Sequence, residues 1–172
     1  MPKFILFVVV FLLFSCTNAK EHNQVSFAEK ECIAFGEKSK QCEIYNRKDY
    51  TDIEKTTSLG ILYLFGFENT AKNYEKAYIY LKNAAEHDNT EAMNGMGIIY
   101  LFGLGREVDL NVAEKYFNSA NHLGDKDAKN NLGELYRIKK EDSTAEYWFK
   151  LAIEDNPSKA YEGLSKIYIE QE

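Results

Sequence analysis

The side chains best suited to chemistry in this sequence are three cysteines and three histidines: Cys16, Cys32, Cys42, His22, His87 and His122. The chain contains no H-E-x-x-H and no S-x-x-K, the patterns of zinc peptidases and serine acyl-enzymes. The pair Gly103 and Gly105 lacks the third glycine of a dinucleotide-binding loop. We therefore predict that the protein is not an enzyme, with no catalytic residue, metal site, cofactor or small-molecule substrate.

Residues 1–15 have the pattern of a secretory signal peptide. One positive charge at Lys3 precedes an apolar h-region at residues 4–14, which is too short to span a bilayer comfortably. Residues 13–16, Leu-Phe-Ser-Cys, resemble the bacterial lipobox, although Phe14 departs from its usual pattern. The resemblance implies a lipid on Cys16 and a short polar tether at residues 16–24. Cleavage after residues 17–19 is the alternative, and both routes export the protein.

The resemblance also implies a location in the cell envelope. The residue after Cys16 is Thr17 rather than the aspartate that resembles an inner-membrane retention signal. We therefore expect a lipoprotein of the outer membrane that faces the periplasm, held to the membrane by its N-terminal lipid.

Cys32 and Cys42 form an even pair in a chain predicted to enter an oxidising compartment, where a disulfide is the default state. Residues 25–35 and 40–48 both have helical patterns, and Gly36 would end the first helix. A hairpin turning near Glu37 would bring the two cysteines together. We predict a disulfide-stapled hairpin over residues 25–50, with two free buried thiols as the alternative and a metal site disfavoured because further ligands are lacking nearby.

The composition disfavours nucleic-acid binding. The 172 residues carry 21 basic and 27 acidic side chains, a formal charge of −6 without the basic excess that phosphate binding needs. A hydrophobic content of 45% indicates one globular domain after the signal peptide.

An internal repeat occupies the rest of the chain. A small residue recurs at Gly60, Gly97, Gly133 and Ser165, and three residues later an aromatic recurs at Tyr63, Tyr100, Tyr136 and Tyr168. Further along each unit, alanines and aromatics spaced three or four apart predict a second helix. Each unit is therefore predicted to be a helical hairpin.

Polar residues at fixed offsets predict the ends of these helices. The predicted N-caps are Asp52, Asn73, Asn89, Asp109, Asp125 and Pro157. The turns between hairpins are predicted to use a left-handed residue at Asp88, Gly124 and Asn156. His87 and His122 lie near the ends of equivalent second helices, where we expect them to interact with the helix dipole.

These repeats resemble the Sel1-like repeat, a relative of the tetratricopeptide repeat. The pattern is fullest from Met96 to Ala128 and covers residues 52–172, although the third unit has a short inner loop at residues 138–142. The resemblance implies an all-α fold, an α/α superhelix (solenoid) of helical hairpin repeats. Residues 51–172 would hold about three repeats and a C-terminal capping helix.

The resemblance also implies a protein-binding concave surface lined by the first helix of each unit. The implied partner-binding residues are Glu54, Thr57, Ile61, Leu64, Glu91, Asn94, Ile98, Leu101, Asn130, Glu134 and Arg137. Ile61, Leu64, Ile98 and Leu101 are apolar at positions expected to meet solvent, so a partner's apolar element could dock on them. Packing of the same side chains in the core is the alternative.

We therefore expect a noncatalytic scaffold that binds a protein partner. The leading hypothesis is an immunity or inhibitor protein that sequesters a toxin or effector. The alternative is a structural or assembly factor in envelope or secretion biology. A β-lactam or cell-wall hydrolase is a remote alternative, since it would need an activated nucleophile that the sequence does not display.

Overall fold

The computed structural model describes residues 26–170, which form helices and no strand apart from an isolated bridge between Phe67 and Thr70. The helices of this range are α1 (Phe27–Phe35), α2 (Lys40–Asn46), α3 (Asp52–Phe65), α4 (Tyr74–Ala85), α5 (Thr90–Phe102), α6 (Leu110–His122), α7 (Ala128–Ile138), α8 (Asp142–Ala152) and α9 (Pro157–Glu170). The predicted signal peptide at residues 1–15, the lipidation of Cys16 and the tether at residues 16–24 lie outside the described residues.

Helices α3 to α8 form three consecutive hairpins, α3 with α4, α5 with α6 and α7 with α8. Each hairpin packs on the next through α4 with α5 and α6 with α7, and α9 packs on α7 and α8. This arrangement confirms the predicted all-α superhelix of helical hairpins.

The glycine that marks each repeat lets the two helices of a hairpin approach closely. A Cβ atom on Gly97 would lie 2.3 Å from Cε1 of Phe117, whose side chain is fully buried in α6. Gly60 faces Leu81 in the same way in the first hairpin. The glycine that recurs in the sequence therefore corresponds to the same close helix contact in each hairpin.

Three of the predicted N-caps are confirmed, because Asn73, Asn89 and Asp109 accept backbone N–H groups at the starts of α4, α5 and α6. The prediction for Asp52 is wrong. Thr51 caps α3 and exchanges hydrogen bonds with Glu54 in a capping box, which satisfies two backbone donors at once.

The remaining helix ends differ slightly from the predictions. Asp125 precedes α7 by three residues, yet its Oδ1 accepts the N–H groups of Asp127 and Ala128 at 2.9 and 3.2 Å. Pro157 is the first residue of α9 rather than its cap, a position where a missing N–H costs nothing.

The turns between hairpins follow the prediction at two positions out of three. Asp88 and Gly124 adopt φ of 57° and 84°, in the left-handed region, whereas Asn156 does not. In the inner loop of the first hairpin, Glu68 also has a positive φ of 50°.

The structure contains the predicted disulfide between Cys32 and Cys42, which joins α1 to α2 with Cα atoms 4.1 Å apart. Both helices of this hairpin contact α3. Each helix is shorter than predicted by two residues, since α1 begins at Phe27 and α2 ends at Asn46.

A buried carboxylate holds this N-terminal hairpin on the first repeat. Glu31 of α1 is buried and accepts hydrogen bonds from the hydroxyls of Tyr63 and Tyr80 and from Lys76 Nζ. Burial alone would raise the pKa of Glu31, but these hydrogen bonds and the Lys76 charge outweigh burial and lower it. The carboxylate therefore stays charged and paired inside the interface.

Candidate functional site

A groove of about 440 Å³ runs across the first helices of the repeats, with α3 and α5 as its walls and the start of α7 and α9 at its far side. It is lined by Ile61, Phe65, Glu91, Asn94, Gly95, Ile98, Asp125, Asp127, Asn131 and Lys159. Four of the predicted partner-binding residues are therefore brought together here: Ile61, Glu91, Asn94 and Ile98.

The apolar lining of the groove comes from Ile61 and Phe65 of α3 and Ile98 of α5. Ile61 and Ile98 are partly exposed at the position after the repeat glycine. Four residues further on, Phe65 in the groove and Phe102 outside its lining expose 52% and 51% of their surface. Large aromatics exposed at equivalent positions of successive repeats indicate a surface suited to a partner.

Three predicted partner-binding residues belong to the core instead. Thr57, Leu64 and Leu101 are buried, and the Thr57 hydroxyl donates to the Ile53 carbonyl at 2.9 Å. A helix turns about 100° per residue, so side chains one residue along from the exposed stripe point into the hairpin. Their burial leaves the adjacent Phe65 at the surface.

Two asparagines among the predicted residues are also buried. Asn94 still forms part of the groove wall, where it donates to Asp125 Oδ1 at 2.7 Å and accepts from Asn131 at 3.0 Å. Asn130 is buried in α7, and its side-chain nitrogen and oxygen have no hydrogen-bond partner among the described residues.

The polar side of the groove carries excess negative charge. Burial raises the pKa of the Glu91 carboxyl, and the nearby Asp125 and Asp127 raise it further. Lys159 is the basic residue of the lining and pairs with Asp127 at 2.8 Å. This hydrogen bond lowers the pKa of Asp127 against the opposing effect of burial. The carboxylates at this rim could therefore form ion pairs with a basic group of a partner.

Three further predicted residues have partners within the chain. Glu54 closes the capping box with Thr51, so its carboxylate is engaged at the start of α3. Glu134 and Arg137 of α7 pair with each other at 2.7 Å, and Arg137 also pairs with Glu170. The partner-binding roles of these residues stay predictions.

A second cavity, of about 370 Å³, adjoins the groove and shares Ile61, Phe65 and Glu91 with it. It continues toward α2 and adds Phe67 of the inner loop, which is half-exposed. Together these cavities form one surface from α2 to the start of α9, apolar along α3 and α5 and acidic toward α7, which we call the concave groove.

Sequence reasoning missed Phe65, Phe102 and Asn131. The signal was present, because Leu-Phe-Gly occurs at residues 64–66 and again at 101–103. In each pair the leucine is buried and the phenylalanine is exposed.

The described part of the chain offers few other side-chain groups that could form a functional site. Within residues 26–170, no three His, Cys, Asp or Glu side chains lie together as a metal site. The ring of His87 lies with Nδ1 2.8 Å from the Asn83 carbonyl oxygen, near the end of α4. No helix of this range has the length and apolar character that a membrane span requires.

The repeats are similar to those of known proteins. The family model described as Sel1 repeat matches residues 57–89, 90–125 and 126–162. Among solved structures, the chain is similar to the crystal structure of a Sel1 repeat protein from Oxalobacter formigenes. The two are 19% identical with a TM-score of 0.52, over 76% of this chain and 90% of that chain, which supports the fold. No curated protein matches the chain.

Proposed function

This chain belongs to the Sel1 repeat family, whose members are protein–protein interaction scaffolds, and we propose that it holds one protein partner in its concave groove. The observation that carries the proposal is the exposed Phe65 beside the partly exposed Ile61 and Ile98, which line the same groove. Apolar side chains that are exposed in the free protein and become buried by a partner supply most of the binding energy of an interface.

The charge of the groove defines the chemistry of the partner. In the larger cavity of the groove, Glu91, Asp125 and Asp127 line the wall together with one basic residue, Lys159. A partner segment with apolar side chains on one face and a lysine or arginine beside them would complement this surface. The binding mode would resemble a helix or loop lying in a groove rather than an enzyme with its substrate.

The proposed setting is the bacterial envelope, with the mature chain anchored through a lipid on Cys16. Its support is the apolar run at residues 4–14 followed by Leu-Phe-Ser-Cys, and a cystine that suits an oxidising compartment. In that setting we assign an immunity or inhibitor role, in which the groove sequesters a delivered toxin or effector. An anchored, acidic, noncatalytic binder is suited to that task.

The groove is tested with Ile61→Asp combined with Ile98→Asp, and with Ile79→Asp as a matched control on the exposed surface of α4. Crosslinked pulldown from envelope extracts should recover a partner with the native chain and the control but not with the double variant. All three should keep their helical circular dichroism. A partner retained by a folded double variant would place the binding site elsewhere.

The anchor and the role have separate tests. Metabolic labelling with a fatty acid should modify the native chain and not Cys16→Ser, while an unlabelled native chain would contradict anchoring. The recovered partner decides the role. A toxin or effector whose activity falls in the complex supports immunity, and a cell-wall or secretion component would favour envelope assembly instead.

A further inference from the structure

A third cavity, of about 520 Å³, lies between the N-terminal hairpin and the first repeat. Its lining comes from the end of α1, the turn that follows it and the start of α2. Residues 68–73 of the inner loop, Tyr63 of α3 and Lys76 of α4 complete the lining. Only Lys40 belongs to both this lining and that of the concave groove. The cavity is therefore a separate site.

The lining of this cavity is basic although the chain as a whole is acidic. Its charged residues are four lysines, Lys38, Lys40, Lys72 and Lys76, and one glutamate, Glu68. The chain carries a formal charge of −6, so this concentration of ammonium groups is local. A concave surface lined mainly by one sign of charge focuses its potential and attracts the opposite charge. The cavity, which we call the basic cavity, therefore suits an anion.

Two of the lysines have charges that no carboxylate of the chain neutralises. Lys76 pairs with the buried Glu31 at 2.9 Å, and Lys40 pairs with a carboxylate of its own helix at 2.8 Å. Lys38 and Lys72 are exposed and form no ion pair within residues 26–170. One lies in the turn between α1 and α2 and the other in the inner loop of the first repeat. Both ammonium groups are therefore available to a ligand.

A buried amide in the same lining is poorly paired. Gln41 is 2% exposed, and its side-chain nitrogen makes only two long contacts, 3.4 Å to the Tyr63 hydroxyl and 3.5 Å to Thr70 Oγ1. Hydrogen bonds of this length are weak, and buried polar groups ordinarily have better partners. An oxygen atom of a ligand in the basic cavity would supply one.

We propose that the basic cavity binds the phosphate group of a small phosphate ester, with Lys38 and Lys72 as its main contacts. A phosphate monoester carries about two negative charges at neutral pH and several acceptor oxygens, so it can engage ammonium groups of two segments at once. Lysine binds phosphate as a compact point charge, whereas bidentate carboxylate recognition uses arginine, which the described lining lacks. The proposal does not depend on partner binding in the concave groove.

Isothermal titration calorimetry of the purified protein with glycerol 3-phosphate tests the basic cavity. We expect one saturable site, weakened by added salt because the contacts are electrostatic. Lys38→Gln combined with Lys72→Gln should weaken binding about tenfold or more, since two attractive charges are lost. The matched control is Lys115→Gln combined with Lys126→Gln, which removes the same charge from exposed lysines outside the cavity. The control should leave binding unchanged.

Glu68 provides a test in the opposite direction. Glu68→Gln removes the one carboxylate of the lining, so it should strengthen binding by about threefold. Glu107→Gln, at an exposed position in the inner loop of the second repeat, is its control and should leave binding unchanged. Because all the substituted side chains in these tests are exposed, every variant should keep the native circular dichroism.

Vesicles distinguish a soluble phosphate ester from a lipid headgroup of the same chemistry. The protein is sedimented with phosphatidylcholine vesicles that contain phosphatidic acid, whose headgroup is also a phosphate monoester. Vesicle binding that the Lys38 and Lys72 double variant loses, without binding of glycerol 3-phosphate, would assign the basic cavity to a lipid headgroup. The proposal is overturned if neither probe binds, if the two double lysine variants have equal effects, or if Glu68→Gln weakens binding.

Discussion

The side-chain nitrogen of Gln41 lies 3.4 Å from the hydroxyl oxygen of Tyr63, which follows it by 22 residues. The same offset joins the repeat tyrosine of every later unit to the preceding second helix, in the pairs Tyr100 with Tyr78, Tyr136 with Glu114 and Tyr168 with Glu146. Gln41 of α2 therefore stands where a second helix would place its contact residue.

This offset explains how the N-terminal hairpin joins the repeats. Helix α2 occupies the position of a second helix before α3, although residues 25–50 do not match the repeat pattern closely in sequence. The hairpin resembles a repeat unit with shorter helices. Its disulfide holds the two helices together, whereas longer helices would be held by more side-chain packing. It covers the first repeat through Glu31 and Gln41, which are both buried.

The disulfide should contribute measurably to stability. Replacing Cys32 and Cys42 together with serine should cost roughly 2–4 kcal/mol, because the crosslink restricts the unfolded chain. The melting temperature measured by circular dichroism should fall by several degrees, and reductant should lower it for the native protein only. Two titratable thiols at these positions in the unfolded, unreduced protein would contradict the prediction.

The Glu31 carboxylate should make stability depend on acid pH. Its pKa in the folded protein lies below the ordinary value of 4.5, so its contribution is complete above that pH and is lost as the pH falls toward the lowered pKa. Glu31→Gln should cost about 1–3 kcal/mol at neutral pH, since it leaves buried hydroxyls poorly paired. Urea unfolding between pH 3 and 7 should therefore give a shallower acid decline for the variant.

Glu37→Gln serves as the control for Glu31, because Glu37 is exposed in the turn between α1 and α2. It should keep the native stability at pH 7 and the native acid decline. Equal acid declines for Glu31→Gln and the native protein would show that the buried carboxylate is not the group that titrates.

Adjacent residues of α3 should respond very differently to truncation. Leu64 is 1% exposed, so Leu64→Ala should cost about 2–5 kcal/mol in the free energy of unfolding. Phe65→Ala should cost about 1 kcal/mol or less, because half of that ring already meets solvent. Denaturant unfolding measures both, and a larger cost at Phe65 would reverse the assignment of core and groove.

The close contact at the repeat glycine should show as coupling between two residues. Gly97→Ala should destabilise the protein by roughly 1–3 kcal/mol, because the new Cβ meets the buried Phe117 ring. In a double-mutant cycle, Phe117→Ala should remove most of that cost by vacating the space. Additive effects of the two substitutions would mean that they are not in contact.

The sequence by itself determined the repeat, the hairpins and many of the helix ends. Glycine, tyrosine and alanine recur because each unit makes the same close helix contact, and such local periodicity is readable without coordinates. Asn73, Asn89 and Asp109 were predictable as caps for the same reason, since a cap bonds to backbone within its own turn.

Only the tertiary structure decided which apolar residues face the groove. Leu64 and Phe65 are both apolar and lie 100° apart on α3, so their identities do not say which one packs inside. Which of the two is buried depends on the direction from which α4 and the neighbouring hairpin pack against α3. As a result, the exposed residue is one position further along the helix than the sequence predicted. The concave groove is therefore lined by Phe65 rather than Leu64, and in α5 Phe102 rather than Leu101 is the exposed member of its pair.

The buried carboxylate was also beyond the sequence. Glu31 lies 32 residues from Tyr63 and 49 from Tyr80, so no local pattern links the three. A charged side chain is ordinarily read as exposed because burial is costly without partners. Here the partners come from α3 and α4, and only the docking of the stapled hairpin on the first repeat brings them to the carboxylate.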